Sequence, residues 1–293
     1  MRGLRSLPSR LLPWLALAAL SAAPAGAAAA GWSGAPGTTY AELAGYLVTG
    51  PRVRTSDGLT DTYEGPRATN ANLRLYAETL VLPRLELALN VALVDFSSLG
   101  DTRFVRLGDP TLGARVVVVQ RPAWALSVTG MATLPTTDGV FASTAPDADG
   151  ELVYARKGAG LTTLEPGTML VLNTGRLWWT ADAAYAVRLD AVDQVTVNGS
   201  LWRPLGGSGR WSTTVGVVSR LNLGPVEGAE PEGGHLSNGW GESAQNVGFY
   251  LRADYALGGG WSVGGGLDGG FWYEGYPAAP GWGVRVAYKG LPF

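Results

Sequence analysis

No cysteine occurs in the 293 residues, and histidine occurs once, at His235. The first absence excludes disulfides, thiolate catalysis, zinc ribbons and iron–sulfur clusters together, and the second removes most imidazole-based metal sites and His-paired nucleophiles. Charged residues make up only 16%, below the usual quarter. The formal net charge is −2 and becomes −5 once an N-terminal leader carrying Arg2, Arg5 and Arg10 is removed, so the electrostatic footprint of a nucleic-acid binder is missing as well. After residue 30 no apolar run approaches about eighteen residues, which excludes transmembrane helices. What the chain does have is glycine, 43 residues, with 11 Trp, 11 Tyr and 46% hydrophobic residues, which is not the composition of a disordered chain.

Arg2, Arg5 and Arg10 precede the apolar stretch Leu11 to Leu20, and the small residues Ser21 to Ala30 follow. This is the pattern of a cleavable secretory signal peptide over residues 1–30, exported through the Sec pathway, with Ala25-x-Ala27 and Ala28-x-Ala30 both fitting the cleavage site. A retained anchor is the alternative, but the leucine-rich part is about half of the roughly 20 residues that a spanning helix needs, and Pro13 and Pro24 interrupt it. Residues 31–293 then form one domain.

The recurring feature of that domain is alternation. From Leu85 to Leu93 the odd positions are large and apolar while the even ones are small or polar, and the same holds from Val247 to Leu257 and from Trp179 to Leu189. Segments of this kind lie at 40–48, 72–82, 85–97, 111–120, 124–134, 168–174, 178–189, 194–203, 211–221, 245–257, 261–273 and 282–289, twelve in all. Their usual length is about the 9–11 residues of a tilted membrane-spanning strand. The connections sort by length: the odd-numbered ones have 23, 13, 33, 4, 23 and 8 residues and the even-numbered ones 2, 3, 3, 7 and 3. A soluble sandwich has no reason to sort its loops, whereas an outer-membrane barrel has short turns on one side and long loops on the other. Trp124, Trp178 with Trp179, Trp211 and Trp261 open the fifth, seventh, ninth and eleventh segments, each directly after a short connection, as one aromatic girdle would require; Phe271, Tyr273 and Trp282 fit the opposite one.

The expected fold is therefore an all-β, transmembrane, antiparallel up-and-down barrel of about twelve strands, with both termini on the periplasmic side and the 49–71, 135–167 and 222–244 connections outside. Period two alone does not say which face looks inward; the leader, the loop sorting and the tryptophans choose an apolar face toward lipid. The lumen-lining set is then Glu42, Arg74, Glu78, Glu86, Arg115, Asp182, Arg188, Arg220, Arg252, Asp254, Asp268, Arg285 and Lys289, seven basic and six acidic groups. A polar lumen should rehydrate an orphaned partner, so loss of Arg115 or Arg252 is expected to alter conductance more than stability.

The segment Gly108-Asp109-Pro110-Thr111-Leu112-Gly113-Ala114-Arg115, followed by an apolar strand, a short turn and the stretch Ala125-Leu126-Ser127-Val128-Thr129-Gly130 running to Leu134-Pro135-Thr136-Thr137-Asp138-Gly139, resembles the Gly-Asp-x-x-Leu-Gly … Leu-Pro-Thr-Gly signature of the phenol-degradation MetA-type outer-membrane proteins, with Thr137 where the family usually has Gly. The resemblance covers about thirty residues of the chain. It implies a transporter barrel in the outer membrane of a Gram-negative cell. A broader resemblance lies at Phe293: bacterial outer-membrane barrels usually end in an amphipathic strand with a terminal aromatic residue, which implies the barrel-assembly machinery as a partner. Here Trp282, Val284, Val286 and Tyr288 alternate out of phase with Phe293, beside Pro292.

Other candidate chemistry is sparse. Asp147-Ala148-Asp149-Gly150-Glu151 is a fragment of a calcium loop without the remaining ligand spacing and reads as a solvated turn. The run from Gly258 to Gly266 lacks the helix and Lys of a phosphate cradle, and reads as glycine leaving room for neighbouring side chains. His235 lies in a loop with no partner Ser on a nearby motif. No catalytic residue, cofactor or metal is expected, and the chain reads as a non-enzyme: an outer-membrane channel or uptake transporter giving small or hydrophobic solutes passive passage through a narrow charged lumen. The alternative is a structural or surface-interaction barrel with a plugged lumen.

Overall fold

The computed structural model describes residues 35–54, 62–136, 140–142, 152–156, 162–189, 191–224, 234–237, 245–274 and 279–290. The leader, Phe293 and the Asp147–Glu151 turn lie outside them. The strands are β1 (Thr39–Arg54), β2 (Thr62–Leu82), β3 (Leu85–Leu99), β4 (Thr102–Arg106), β5 (Thr111–Arg121), β6 (Trp124–Thr133), β7 (Val140–Ala142), β8 (Leu152–Arg156), β9 (Thr163–Asn173), β10 (Trp178–Arg188), β11 (Gln194–Leu205), β12 (Trp211–Asn222), β13 (Gly234–Ser237), β14 (Gln245–Gly258), β15 (Trp261–Glu274) and β16 (Gly281–Gly290). Twelve of them, all but β4, β7, β8 and β13, form the wall. Each pairs antiparallel with the wall strand before and after it, and β1 pairs with β16 from Thr39↔Gly290 to Val48↔Gly281. The sheet therefore closes on itself as the expected up-and-down barrel, and no wall strand keeps an unpaired edge.

Four connections differ from the sequence reading. The sixth wall strand, β9, begins at Thr163 rather than 168, running through Glu165-Pro166-Gly167, residues that read as a turn. Proline has no N–H to donate, and the ladder to β10 lapses there: Ala184↔Gly167 is followed by Val187↔Leu164. On the other side Pro166 still stands opposite Gly130 of β6. Gly167 is a close-approach glycine, since a Cβ there would come within 2.7 Å of the Ala183 carbonyl oxygen.

The 98–110 connection is mostly strand. Asp95↔Arg106 and Asn90↔Thr111 share one register against β3, so β4 and β5 are a single strand interrupted over 107–110. The 49–71 connection is likewise a continuation of the β1–β2 hairpin, paired as far as Arg54↔Thr62. The 134–162 and 223–244 connections meet in a small second sheet, where β8 pairs antiparallel with β7 and parallel with β13, the strand that carries His235.

The wall has inverted polarity. Cross-strand partners share a face, so the register alone sorts rows: Leu43 stands opposite Val286 and Leu75, whereas Glu42 stands opposite Ala287 and Tyr76. On the outer face Leu43, Leu87, Leu112, Val128, Val215 and Leu251 are all more than 40% exposed, while Glu78 and Thr214 on the inner face are fully covered. An apolar belt outside and polar groups inside suit a bilayer, where a charge on the lipid face costs about 2–4 kcal/mol for Arg or Lys at mid-depth. Leu251→Arg or Val215→Arg should therefore lower the stability of the folded barrel in phospholipid vesicles by about that amount. Urea titration of the band that shifts on boiling would measure it, and an unchanged midpoint would mean that these side chains do not face lipid.

Candidate functional site

The charged residues assigned to the lumen all stand on the inward rows. Six of them form two clusters of the same design, one arginine between two carboxylates. Arg115 on β5 lies 3.0 Å from Glu78 on β2 and 3.0 Å from Glu86 on β3. Arg285 on β16 lies 2.7 Å from Glu42 on β1 and grips Asp254 on β14 with two donors, Nε at 2.8 Å and Nη2 at 2.6 Å. A bidentate guanidinium–carboxylate pair is among the stronger charge-assisted contacts.

The two clusters are joined through tyrosines. Tyr40 and Tyr76 alternate with Glu42 and Glu78 on adjacent strands, Tyr40 donating to Glu42 at 2.5 Å and Tyr76 donating to Glu78, with their rings edge to face at 6.2 Å. A chain of contacts thus runs from Glu86 through Arg115, Glu78, the two edge-to-face tyrosine rings, Glu42 and Arg285 to Asp254, polar throughout except at the ring contact. It crosses the inner wall from β5 round to β14. Its charged side chains are between 0 and 13% exposed.

Small residues on the intervening strands make this geometry possible. Gly264 of β15 stands between Asp254 and Arg285 in the register, and a Cβ there would collide with the Asp254 carboxylate. At Gly266 a Cβ would come within 2.8 Å of Arg252 Cγ, at Gly216 it would meet the Tyr250 ring, and at Gly281 it would meet Tyr46. The glycine-rich run therefore has two uses: Gly258, Gly259 and Gly260 take positive φ in the β14–β15 turn, and Gly264 and Gly266 are seats for charged neighbours.

The remaining assigned residues are more separate. Asp182 accepts a hydrogen bond from Asn198 at 2.7 Å, and Asp268 accepts one from Tyr46 at 2.9 Å. Arg188 donates to the Val192 carbonyl at 3.1 Å. Arg252 lies over the Tyr250 ring, 4.9 Å from its centroid. Arg74 stands opposite Ala44 and Ala92, Lys289 opposite Tyr40, and Arg220 is exposed opposite Thr196 and Asn246. Among the described residues no group of His, Asp and Glu is placed to hold a metal ion.

A third cluster escaped the sequence reading. Arg106 lies 2.6 Å from Asp95 and 3.1 Å from Asp109. Asp95 was hidden by a bulge: Leu73↔Val94 is followed by Arg74↔Ala92, so Leu93 is extra and Leu93 and Val94 are both about 40% exposed. Two adjacent large apolar residues followed by an acid were the signal. The tyrosines were missed because a tyrosine in an amphipathic strand fits either face.

Asp109 also explains the Gly-Asp … Leu-Pro-Thr signature in structural terms. Its carboxylate accepts the Thr136 amide at 2.8 Å, and the Thr136 hydroxyl donates to the Leu107 carbonyl at 2.8 Å. Gly108 bonds the Ala92 carbonyl at 2.7 Å and leaves no room for a Cβ, which would sit 2.5 Å from that of Ala92. The two halves of the motif are thus tied to each other at the interruption of the β4–β5 strand.

On the outer face, Trp211 and Trp261 are half exposed and lie against Tyr255 and Tyr288 at 4.9 and 5.1 Å. Trp124 and Trp179 share outward rows with Leu172, Phe271 contacts Phe249 at 5.2 Å, and Trp282 is 58% exposed. Trp178 is placed differently from the expectation. It stands opposite Trp202 on the inner face and packs on Met169 and Val171, because of two adjacent tryptophans in a strand only one can face out. The side chain of Tyr273 lies outside the described residues.

Burial separates two arginines that the sequence treated alike. Removing the Arg115 side chain leaves Glu78 and Glu86, 0 and 2% exposed, without their cation, so Arg115→Ala should destabilise the barrel by about 3–5 kcal/mol. Neutralising both acids in the same chain should restore most of that loss. Arg252→Ala, which strips a guanidinium from a ring, should leave the urea midpoint nearly unchanged and alter single-channel conductance or ion selectivity. Equal unfolding midpoints for Arg115→Ala and the parent chain would overturn this distinction.

No protein-family model matches the chain, and no curated protein matches its sequence. Solved structures do resemble it. An outer membrane channel from Pseudomonas putida F1 superposes with a TM-score of 0.61 at 14% identity, covering 89% of this chain and 98% of that one. The NanC porin gives 0.51 at 8% identity over 85% of this chain and 99% of that one, and the KdgM porin 0.50 at 7% over 85% and 98%. At such identities the likeness is one of fold, and the fold is the closed antiparallel barrel of outer-membrane channels and porins.

Proposed function

We propose that the mature chain is an outer-membrane channel of a Gram-negative cell that gives small or hydrophobic solutes passive passage through a narrow, charged lumen, and that it belongs with the MetA-type barrels. The observation that carries this reading is the inverted wall: an apolar belt outside a closed barrel, with ion-paired side chains gathered inside it. The paired arginines and interleaved tyrosines support a constricted passage rather than a wide aqueous one, as does a strand number below the 16–18 of general porins. The Asp109–Thr136 tie supports the family assignment, because it gives both halves of the signature one shared role. The same near-complete cover of Glu78 and Glu86 also favours the second reading, a structural barrel whose lumen is plugged.

Planar-bilayer recording with the purified protein separates the two. Small conductance steps, together with uptake of a small or hydrophobic solute into proteoliposomes, are expected. Large, unselective conductance would overturn the constricted channel, and electrical silence without solute flux would establish the plugged barrel.

Export through the Sec pathway after removal of residues 1–30, assembly by the barrel-assembly machinery through the strand that leads to Phe293, and a periplasmic position for the short turns complete the proposal. Epitope tags at Ala148 and Glu232 should label on intact cells and a tag at Gly207 should not. The opposite labelling would invert the orientation.

A further inference from the structure

We propose that the short-turn rim is a docking surface for the headgroups of anionic phospholipids. Arg84 lies in the β2–β3 turn, Arg121 at the end of β5, Arg176 in the β9–β10 turn, Arg203 near the end of β11 and Arg210 immediately before β12, and all five are exposed. They occupy four of the five short connections or the strand ends beside them. Among the described residues none of the five takes part in an ion pair. The connecting residues 83–84, 122–123, 174–177, 206–210 and 259–260 contain no Asp or Glu, and the nearby acids Glu78, Glu86 and Asp254 point inward and hold their own arginines. Among the described residues the outward field of this rim is therefore positive without a counterion.

Its geometry matches a bilayer surface. Arg121 stands opposite Trp124, and Arg210 precedes Trp211 and donates to the hydroxyl of Tyr255, the ring that lies against Trp211, at 3.3 Å. Arg121 and Arg210 thus adjoin outward-facing aromatic residues of the girdle, at the interface where lipid headgroups begin. The five are spread round the circumference from the β2–β3 turn to β12 rather than gathered in one patch, which suits a ring of lipids better than a single protein partner. The guanidinium fork donates to two phosphate oxygens at a time. Two of the long connections carry the opposite sign, with a net charge of −2 over 134–162 and −4 over 223–244. The proposal requires that the barrel cross a bilayer, and it holds whether or not the lumen conducts.

Quenching of tryptophan fluorescence tests it. The full mature chain is reconstituted in vesicles of phosphatidylcholine mixed with phosphatidylglycerol, with bromine placed near the carbonyl end of the acyl chains of one lipid or the other. Phosphatidylglycerol should be favoured at the protein surface by about threefold or more at low ionic strength, and the preference should fade in about 1 M salt, where screening reaches about 3 Å. Replacing all five arginines by glutamine should bring the ratio to one. Should that variant fail to fold, Arg84→Gln with Arg121→Gln, and Arg176→Gln with Arg203→Gln and Arg210→Gln, each made in a chain that keeps its heat-shifted band, should each lower it. A ratio of one in the parent chain would overturn the proposal, and so would a preference that survives the substitutions.

Discussion

A strand in hydrocarbon has no water to bond its N–H and C=O groups, so the antiparallel ladder between β1 and β16 is the contact on which the rest of this molecule depends. Those strands are separated by nearly the whole domain, and their pairing turns an open meander with two unsatisfied edges into a wall with none. Once the wall closes, the period-two alternation acquires a geometric meaning. One set of side chains is turned to the outside and the other into a confined interior, and neither can exchange places without shifting every register in the ring.

Confinement governs the interior. Charged groups brought together in a bore of this size lose most of their water, and a single pair would leave lone pairs and donors unmet. The arrangement adopted three times sets one guanidinium between two carboxylates, through separate nitrogens in Arg106 and Arg285 and through Nη2 toward both acids in Arg115. It needs room, and glycine and alanine on neighbouring strands supply it: Gly264 between Asp254 and Arg285, and Ala88 opposite Glu78. The unusual glycine content is thus linked to the charged interior as directly as to the turns.

The signature around Asp109 shows how a motif with no chemistry of its own can still be specific. Interrupting a wall strand over 107–110 frees backbone groups, and Gly108, Asp109 and Thr136 take them up in a fixed pattern. Glycine is required where the chain crosses Ala92, a short carboxylate where the Thr136 amide must be met. The motif is a splice in the wall, held from two sides of the β5–β6 hairpin.

The alternation of large apolar and polar residues, the sorting of connections by length and the rim tryptophans determined the barrel, its strand number and the inward face at Glu42, Arg115, Arg252 or Asp254, because these are local properties of each strand and survive without knowledge of its neighbours. Reading residues one strand at a time could not reach what depends on register. Leu93 is an extra residue only relative to β2, Pro166 is tolerable only because the β10 ladder lapses beside it, and Trp178 faces inward because its row partner is Trp202. Nor could it tell Arg115 from Arg252, since both are arginines on a polar face. The tertiary structure sets one between two covered carboxylates and the other on an aromatic ring, and that difference arises from which strands the closed ring makes neighbours.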